Sequence, residues 1–227
     1  MKIGIIGGLG PLATVKFMEM LNKRLINVNK EVEIVVINDP TTPDRTSYIL
    51  DNTKENPINS ILSMVKKLEL FDVNLLVMPC NTASYFYKEI ESNTNILFIN
   101  IVEETVKYLK DNNINKVGLM ATKGTIKSGI YKSLLSKYNI NLVIPSDNDQ
   151  EIVSSIIYDG IKSNKKIDLN NFYNVINNLK ANGSEKVILG CTELSALKEI
   201  YNIKNDYLVD AMEILADSTI NYIKKNS

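Results

Sequence analysis

The chain has 227 residues, 44% of them hydrophobic, enough for a sizeable core in one large domain or two small ones. Its 26 basic and 26 acidic side chains balance, so no global field draws it toward nucleic acid or an anionic membrane. There is no histidine, which removes imidazole as base or metal ligand, and no apolar run approaches the ~20 residues that span a bilayer. The opening residues, KIGIIGG, lack the basic, apolar and small-residue order of a secretory leader, so a soluble cytoplasmic protein is expected.

Along the chain, short β-branched runs alternate with longer amphipathic stretches. Strands are predicted at residues 2–7, 32–38, 74–78, 96–99, 116–121, 141–144 and 186–189. Helices are predicted at 11–28, 57–71, 82–92, 101–112, 125–138, 149–161, 169–182, 193–200 and 210–224. Such alternation, with nearly continuous apolar strands, predicts an α/β fold of parallel sheets covered by helices. Residues 39–56, DPTTPDRTSYILDNTKEN, read as the longest irregular stretch, a length usually kept for function.

Three segments recur in order. IGIIGG (3–8) matches VGLMAT (117–122) at an offset of 114, LVMPCNT (76–82) matches VILGCTE (187–193) at 111, and IVEET (101–105) matches LVDAM (208–212) at 107. This predicts two related lobes: residues 1–100, with the segment 208–227 packing back on them, and residues 101–207. Each lobe carries one of the two cysteines, Cys80 and Cys191, at the end of a strand. Ligands of open parallel sheets bind there, so both thiols are expected in the crevice between the lobes. Without CxxC spacing they do not form a metal knuckle or a redox motif, and in a reducing compartment they are free. The plainer alternative is a pair of buried structural cysteines.

Each cysteine also precedes a predicted helix, whose N-terminus would pull the thiol down from about 8.5 toward neutrality. Asn81, Thr82 and Thr192 supply donors suited to a carboxylate, or equally N-caps. Two thiols across one cavity suit a cofactor-free proton exchange: one thiolate takes the α-proton and the opposite thiol returns one to the other face. Donors at the substrate carboxylate would stabilise the carbanion-like state.

GIIGGLGPLAT (4–14), NDPTTPDRT (38–46), MPCNTAS (78–84), EET (103–105), GLMATKGTIKSGIY (118–131), YDGIK (158–162) and LGCTEL (190–194) together resemble the cofactor-independent aspartate racemases of the Asp/Glu/hydantoin racemase superfamily. The resemblance implies two pseudo-symmetric flavodoxin-like lobes with the active site between them, Cys80 and Cys191 as the acid/base pair, no cofactor or metal, and a homodimer. It implies substrate contacts from Leu9, Gly10, Asn81, Thr82, Ala83, Thr122, Thr192 and Glu193, with Arg45 of PDRT and Lys162 on the distal carboxylate of a dicarboxylic amino acid. By the same analogy the first-lobe cysteine faces the D form. Glutamate racemases carry Asp-Ser-Gly near the N-terminus and His after the second Cys-Thr; Gly7-Gly8-Leu9 and Glu193 stand there instead. Ser84 replaces the His usual after CNTA in aspartate racemases, which marks it as a candidate for altered substrate preference.

Two other readings are open. Gly8-Leu9-Gly10-Pro11-Leu12-Ala13 fits the G-x-G-x-x-A of an NAD(P)-binding oxidoreductase, with Asp39 placed for the ribose. That reading accounts for neither cysteine, and Pro11 also fits the first turn of a helix. The same fold could also serve as a catalytically silent amino-acid-binding module. Maleate isomerisation and hydantoin racemisation are further reactions of the superfamily.

Overall fold

The computed structural model describes residues 1–226. Four parallel strands, β1 (Lys2–Gly7), β2 (Glu33–Asn38), β3 (Leu75–Val77) and β4 (Leu97–Ile99), form a sheet in the order β2-β1-β3-β4. Four more, β5 (Lys116–Ala121), β6 (Asn141–Val143), β7 (Lys186–Gly190) and β8 (Leu208–Asp210), form a second sheet in the order β6-β5-β7-β8. Both orders are the flavodoxin-like one, which switches direction between its first and third strands. The two-lobed α/β architecture expected from the alternating pattern is therefore present.

The helices are α1 (Pro11–Asn27), α2 (Arg45–Leu50), α3 (Ile58–Glu69), α4 (Tyr87–Ser92), α5 (Ile101–Asp111), α6 (Lys123–Ser128), α7 (Ile130–Ser136), α8 (Asp147–Ser155), α9 (Leu169–Ala181), α10 (Thr192–Ile200) and α11 (Ala211–Asn226). Strand side chains alternate between two faces. Ile3, Ile5, Val117 and Leu119 point into one shared core with Phe17 and Leu21 of α1, Val106 and Leu109 of α5, and Met212 and Leu215 of α11. The opposite faces bury Ile6 and Leu76 under α3, and Val187 and Leu189 under α9. Asparagine or aspartate takes the left-handed position after many of the helices, as at Asn29, Asp72, Asn113 and Asn202, since their short polar side chains tolerate it.

Strand register confirms the internal repeat and corrects one offset. Ile3 pairs with Leu75 and Val117 with Lys186, which preserves the offsets of 114 and 111. Leu76 pairs with Phe98 and Val187 with Leu208, so the third offset is 110 rather than 107. The expected match of IVEET to LVDAM set a helix start against a strand. The structural equivalents are Asn100, which caps α5 by accepting from Val102 N–H, and Asp210, which accepts from Met212 N–H. Residues 208–210, expected to leave with the C-terminal segment, instead form the edge of the second sheet, while α11 packs on α1 and α5. Ser227, the end of that expected segment, lies outside the described residues.

Four predicted elements differ in detail. Residues 82–92 divide into a 3₁₀ turn (Thr82–Phe86) and α4, and residues 39–56 contain α2, capped by Asp44 accepting from Ser47 N–H. The predicted helix 125–138 breaks at Gly129, whose φ of +69° ends α6 and redirects the chain into α7. The predicted helix 149–161 is α8 followed by a π-helix over Ile156–Ile161. Such π segments are rare and cluster at functional sites.

Candidate active site

The segments that follow the two central strands of each sheet converge at the topological switch points. After β1 comes the turn Gly8–Gly10; after β3, Cys80–Thr82; after β5, Thr122; after β7, Cys191–Glu193. They enclose a buried cavity lined by Leu9, Asp44, Arg45, Thr46, Cys80, Asn81, Thr82, Thr122, Tyr158, Lys162, Cys191, Thr192 and Glu193. Room for solvent inside is about 10 Å³, roughly one water molecule. An outer pocket of about 680 Å³ abuts it and shares Asp44, Arg45, Lys162 and Glu193, so these four side chains stand between the cavity and the outside.

Both thiols are free and 5% exposed. Cys80 Sγ donates to the Leu9 carbonyl oxygen at 3.3 Å, and Cys191 Sγ donates to Glu193 Oε2 at 2.9 Å. Burial pushes the Cys80 thiol up, against the pull of the Arg45 guanidinium, the Ala83 amide and Lys162. Burial and the neighbouring Glu193 push the Cys191 thiol well above the ordinary value. The expectation that helix starts would bring both thiols toward neutrality is thus overturned. Cys80 precedes a 3₁₀ turn rather than an α-helix, and at Cys191 desolvation and a carboxylate outweigh the start of α10. The two thiols are not equivalent: after burial, the largest influence on Cys80 is the opposing Arg45 guanidinium, with Glu193 a smaller upward push, whereas on Cys191 it is Glu193, with Lys162 a smaller opposing pull.

The donors arrange themselves across the lobes. The hydroxyls of Thr82, Thr122 and Thr125 form a closed triangle with sides of 3.0, 2.9 and 3.0 Å. Thr122 also caps α6 by accepting from Thr125 N–H, whereas neither Asn81 nor Thr82 acts as a cap. Asn81 Oδ1 accepts from the Tyr131 hydroxyl at 2.6 Å, leaving its Nδ2 buried without a partner. Gly124 presses on Thr46 so closely that a β-carbon would meet Thr46 Cα at 2.7 Å, which lets α6 close on α2 beside the cavity.

Arg45 is buried, and its guanidinium donates to three backbone carbonyls: Thr42 and Pro43 through Nη1 and Leu9 through Nη2 at 2.8 Å. Its Nε is buried and unpaired. Lys162, at the end of the π-helix, holds its Nζ 4.4 Å from the Tyr158 ring centroid. Thr192 Oγ1 donates to Glu193 Oε2 at 3.5 Å.

Of the residues expected from sequence, Leu9, Arg45, Cys80, Asn81, Thr82, Thr122, Lys162, Cys191, Thr192 and Glu193 share the cavity. Gly10 lines the outer pocket instead. The Ala83 side chain is in the first-lobe core, and only its backbone amide faces Cys80. Ser84 lies behind the site, donating to the Cys80 carbonyl at 3.3 Å, so it has no direct contact through which to choose a substrate. Sequence reasoning did not single out Asp44, Thr46, Tyr131 or Tyr158, although each lies inside a quoted motif. The glycine-rich turn does begin with a left-handed Gly8, where a β-carbon would strike the Asp39 backbone at 2.3 Å. Yet at the start of α1, where a dinucleotide would lay its phosphates, the Glu193 carboxylate sits against Gly10. Asp39, the would-be ribose ligand, accepts instead from the amide and hydroxyl of Thr41.

Residues 6–219 match the family model described as Asp/Glu/Hydantoin racemase. The broad specificity amino-acid racemase RacX of Bacillus subtilis is 27% identical over 224 residues, 96% of each chain. The structure of Picrophilus torridus aspartate racemase superposes with a TM-score of 0.84 at 36% identity, covering 98% of this chain and 94% of that one. The glutamate racemase of Francisella tularensis, solved with D-glutamate, shares the fold with a TM-score of 0.68 at 19% identity, over 99% of this chain and 81% of its own. With two sheets of one topology, a thiol from each at a common cavity and a family match over nearly its whole length, the chain belongs to the Asp/Glu/hydantoin racemase family.

Proposed function

We propose that the protein racemises a dicarboxylic amino acid without pyridoxal phosphate, interconverting L- and D-aspartate and also accepting glutamate, with Cys80 and Cys191 as the two bases. The observation that carries this reading is that Cys80, from the first lobe, and Cys191, from the second, line one buried cavity with carboxylate donors between them. Asn81 Nδ2 and the hydroxyls of Thr82, Thr122 and Thr192 would hold the α-carboxylate. The unpaired Arg45 Nε and the Lys162 ammonium support a second carboxylate on the substrate.

The asymmetry of the thiols supports one sequence of events. Cys80, opposed by cations, is the thiol that ionises first; Cys191 keeps its proton against Glu193. The Cys80 thiolate takes the α-proton, and the electron pair left on carbon delocalises into the carboxylate. Cys191 then passes its own proton to the opposite face and becomes the thiolate. One proton leaves and one arrives, so nothing is oxidised, and the reverse reaction exchanges the two roles. By the family resemblance, Cys80 is the base that meets the D form. Entry requires the four shared side chains to part, and their return excludes water while the carbanion-like state exists.

We further read residues 1–100 and 101–210 as the two lobes, β8 included in the second, and the protein as a cytoplasmic homodimer. No helix among the described residues is long and apolar enough to cross a membrane. A chiral assay of aspartate, glutamate and neutral amino acids, with no cofactor added, tests the function. Loss of optical activity for aspartate supports it; unchanged rotation for every amino acid refutes it.

A further inference from the structure

Tyr131 belongs to the second lobe, on α7, and its ring is part of the shared core that also contains Val106 and Leu135. The left-handed Gly129 turns α7 away from α6, and the Tyr131 hydroxyl then reaches across to the first lobe. There it donates to Asn81 Oδ1 at 2.6 Å, with the Thr105 side chain as a second polar neighbour. Tyr131 is 1% exposed and Asn81 2%, so bulk solvent does not compete for this contact. The ring alone fills the core; the hydroxyl is a polar atom that has to find a mate there.

The contact has a consequence for the other end of the amide. An asparagine amide offers an oxygen on one side and an N–H₂ on the other, and rotation by half a turn exchanges them. With Oδ1 taken by Tyr131, Nδ2 is left buried and unpartnered in a side chain that lines the cavity beside Cys80. A buried donor without an acceptor is costly, and an α-carboxylate in the cavity would supply one. Charge builds on that carboxylate as the α-proton departs, so the amide donates more strongly in the transition state than in the bound substrate.

We propose that Tyr131 is a positioning residue for the reaction: its hydroxyl, delivered from the opposite lobe, fixes the Asn81 amide with its N–H groups toward the substrate carboxylate. The proposal rests on the racemase reading. It also makes the donor conditional on the two lobes being closed on each other, because the hydroxyl and the amide come from different lobes.

The test is a double-mutant cycle with Tyr131→Phe and Asn81→Ala, followed by kcat and KM for aspartate and by thermal melting. Asn81→Ala is expected to lower kcat by about a hundredfold, as loss of one such donor does elsewhere. Tyr131→Phe is expected to lower kcat by about tenfold with little change in KM, and to have no further effect once Asn81 is alanine. Unchanged kcat in Tyr131→Phe, or an equal loss in both backgrounds, would overturn the proposal, since a purely structural hydroxyl would act regardless of Asn81. Asn81→Asp provides a second arm that does not depend on Tyr131→Phe folding. It keeps the acceptor for Tyr131 and replaces the N–H₂ by an oxygen, so it should be as slow as Asn81→Ala, with some loss of melting temperature from the buried carboxyl. Near-normal activity there would also overturn the proposal. Calorimetric binding of D-aspartate to the same proteins separates the two readings. Wild-type binding that is weakened by Asn81→Ala, without any racemisation, would refute the racemase reading alone; no binding and no racemisation would refute both.

Discussion

Gly10 and Glu193, from opposite lobes, touch at the mouth of the cavity: a β-carbon on Gly10 would stand 2.7 Å from Glu193 Oε1. Gly10 has an ordinary extended backbone, so the glycine is required by this approach and not by its own conformation. Gly10→Ala should displace the carboxylate that accepts the Cys191 thiol hydrogen bond. We expect about a tenfold loss of racemisation, as for other small misplacements near a reacting group. Thermal melting should fall by only a few degrees, because alanine is a poorer N-cap than glycine by about 1 kcal/mol. A large loss of stability with unchanged specific activity would contradict this.

Glu193 also governs the thiol chemistry. Its charge and its hydrogen bond both raise the Cys191 thiol, whereas at Cys80 Glu193 contributes less than burial and Arg45. Glu193→Gln should therefore move the pH profile of Cys191 alkylation to lower pH and shift that of Cys80 much less. Iodoacetamide labelling read by peptide mass spectrometry measures both thiols at once. Equal shifts, or none at Cys191, would show that the carboxylate does not control the thiol.

Stability and activity should part company at alkaline pH. Both thiols titrate higher in the folded protein than the unfolded value of about 8.5. A group raised in this way contributes its stability in full below the unfolded value and loses it as pH climbs through the folded one. The melting temperature should hold to about pH 8.5 and then decline, while racemisation, which needs one thiolate and one thiol, should first rise over the same window and fall once both thiols ionise. In the double variant Cys80→Ala/Cys191→Ala the decline should flatten. Melting that rises with pH in the wild type would contradict the assignment.

Arg45 joins the loop after β2 to the turn after β1. Through Leu9 it is also linked to Cys80, because the Leu9 carbonyl accepts from both the guanidinium and the thiol. Arg45→Lys cannot reproduce the planar fork that reaches three carbonyls. A loss of about 3 kcal/mol is expected from charge-assisted hydrogen bonds, or a melting temperature lower by about 10 °C. Activity toward aspartate should drop more than activity toward alanine, measured on the fraction still folded. Equal losses for the two amino acids would leave Arg45 a structural role only.

The repeat was readable because the same packing problem is solved twice. Gly4 and Gly118 are equivalent, and a β-carbon on either would crowd a leucine of the covering helix, Leu68 of α3 or Leu179 of α9, at 3.2 Å. Such constraints preserve residue types, so the strands bearing them align. The third match slipped by three residues because its true anchors, Asn100 and Asp210, are caps of different types. The edge strand β8 is only three residues long, too short for its own alternation to be seen.

Most of the site was legible for a related reason: the residues that follow central strands have nowhere to point but the switch-point crevice. What sequence did not disclose is pairing across the lobes. The Tyr131–Asn81 bond spans 50 residues, and the fate of the Arg45 guanidinium depends on a carbonyl 36 residues away. Local pattern carries no trace of either. The thiol pKa values failed for a different reason, since the number of residues between a cysteine and a helix start says nothing about burial or a facing carboxylate.

The most direct measurement is racemisation of L- and D-aspartate in deuterium oxide by wild type, Cys80→Ala and Cys191→Ala. Optical rotation and the α-proton signal would be followed together. Wild type should lose optical activity as deuterium enters the α-position, and each single variant should be slower by at least about a thousandfold, because each lacks one of the two bases. A wild-type rate in either variant would contradict the two-thiol account.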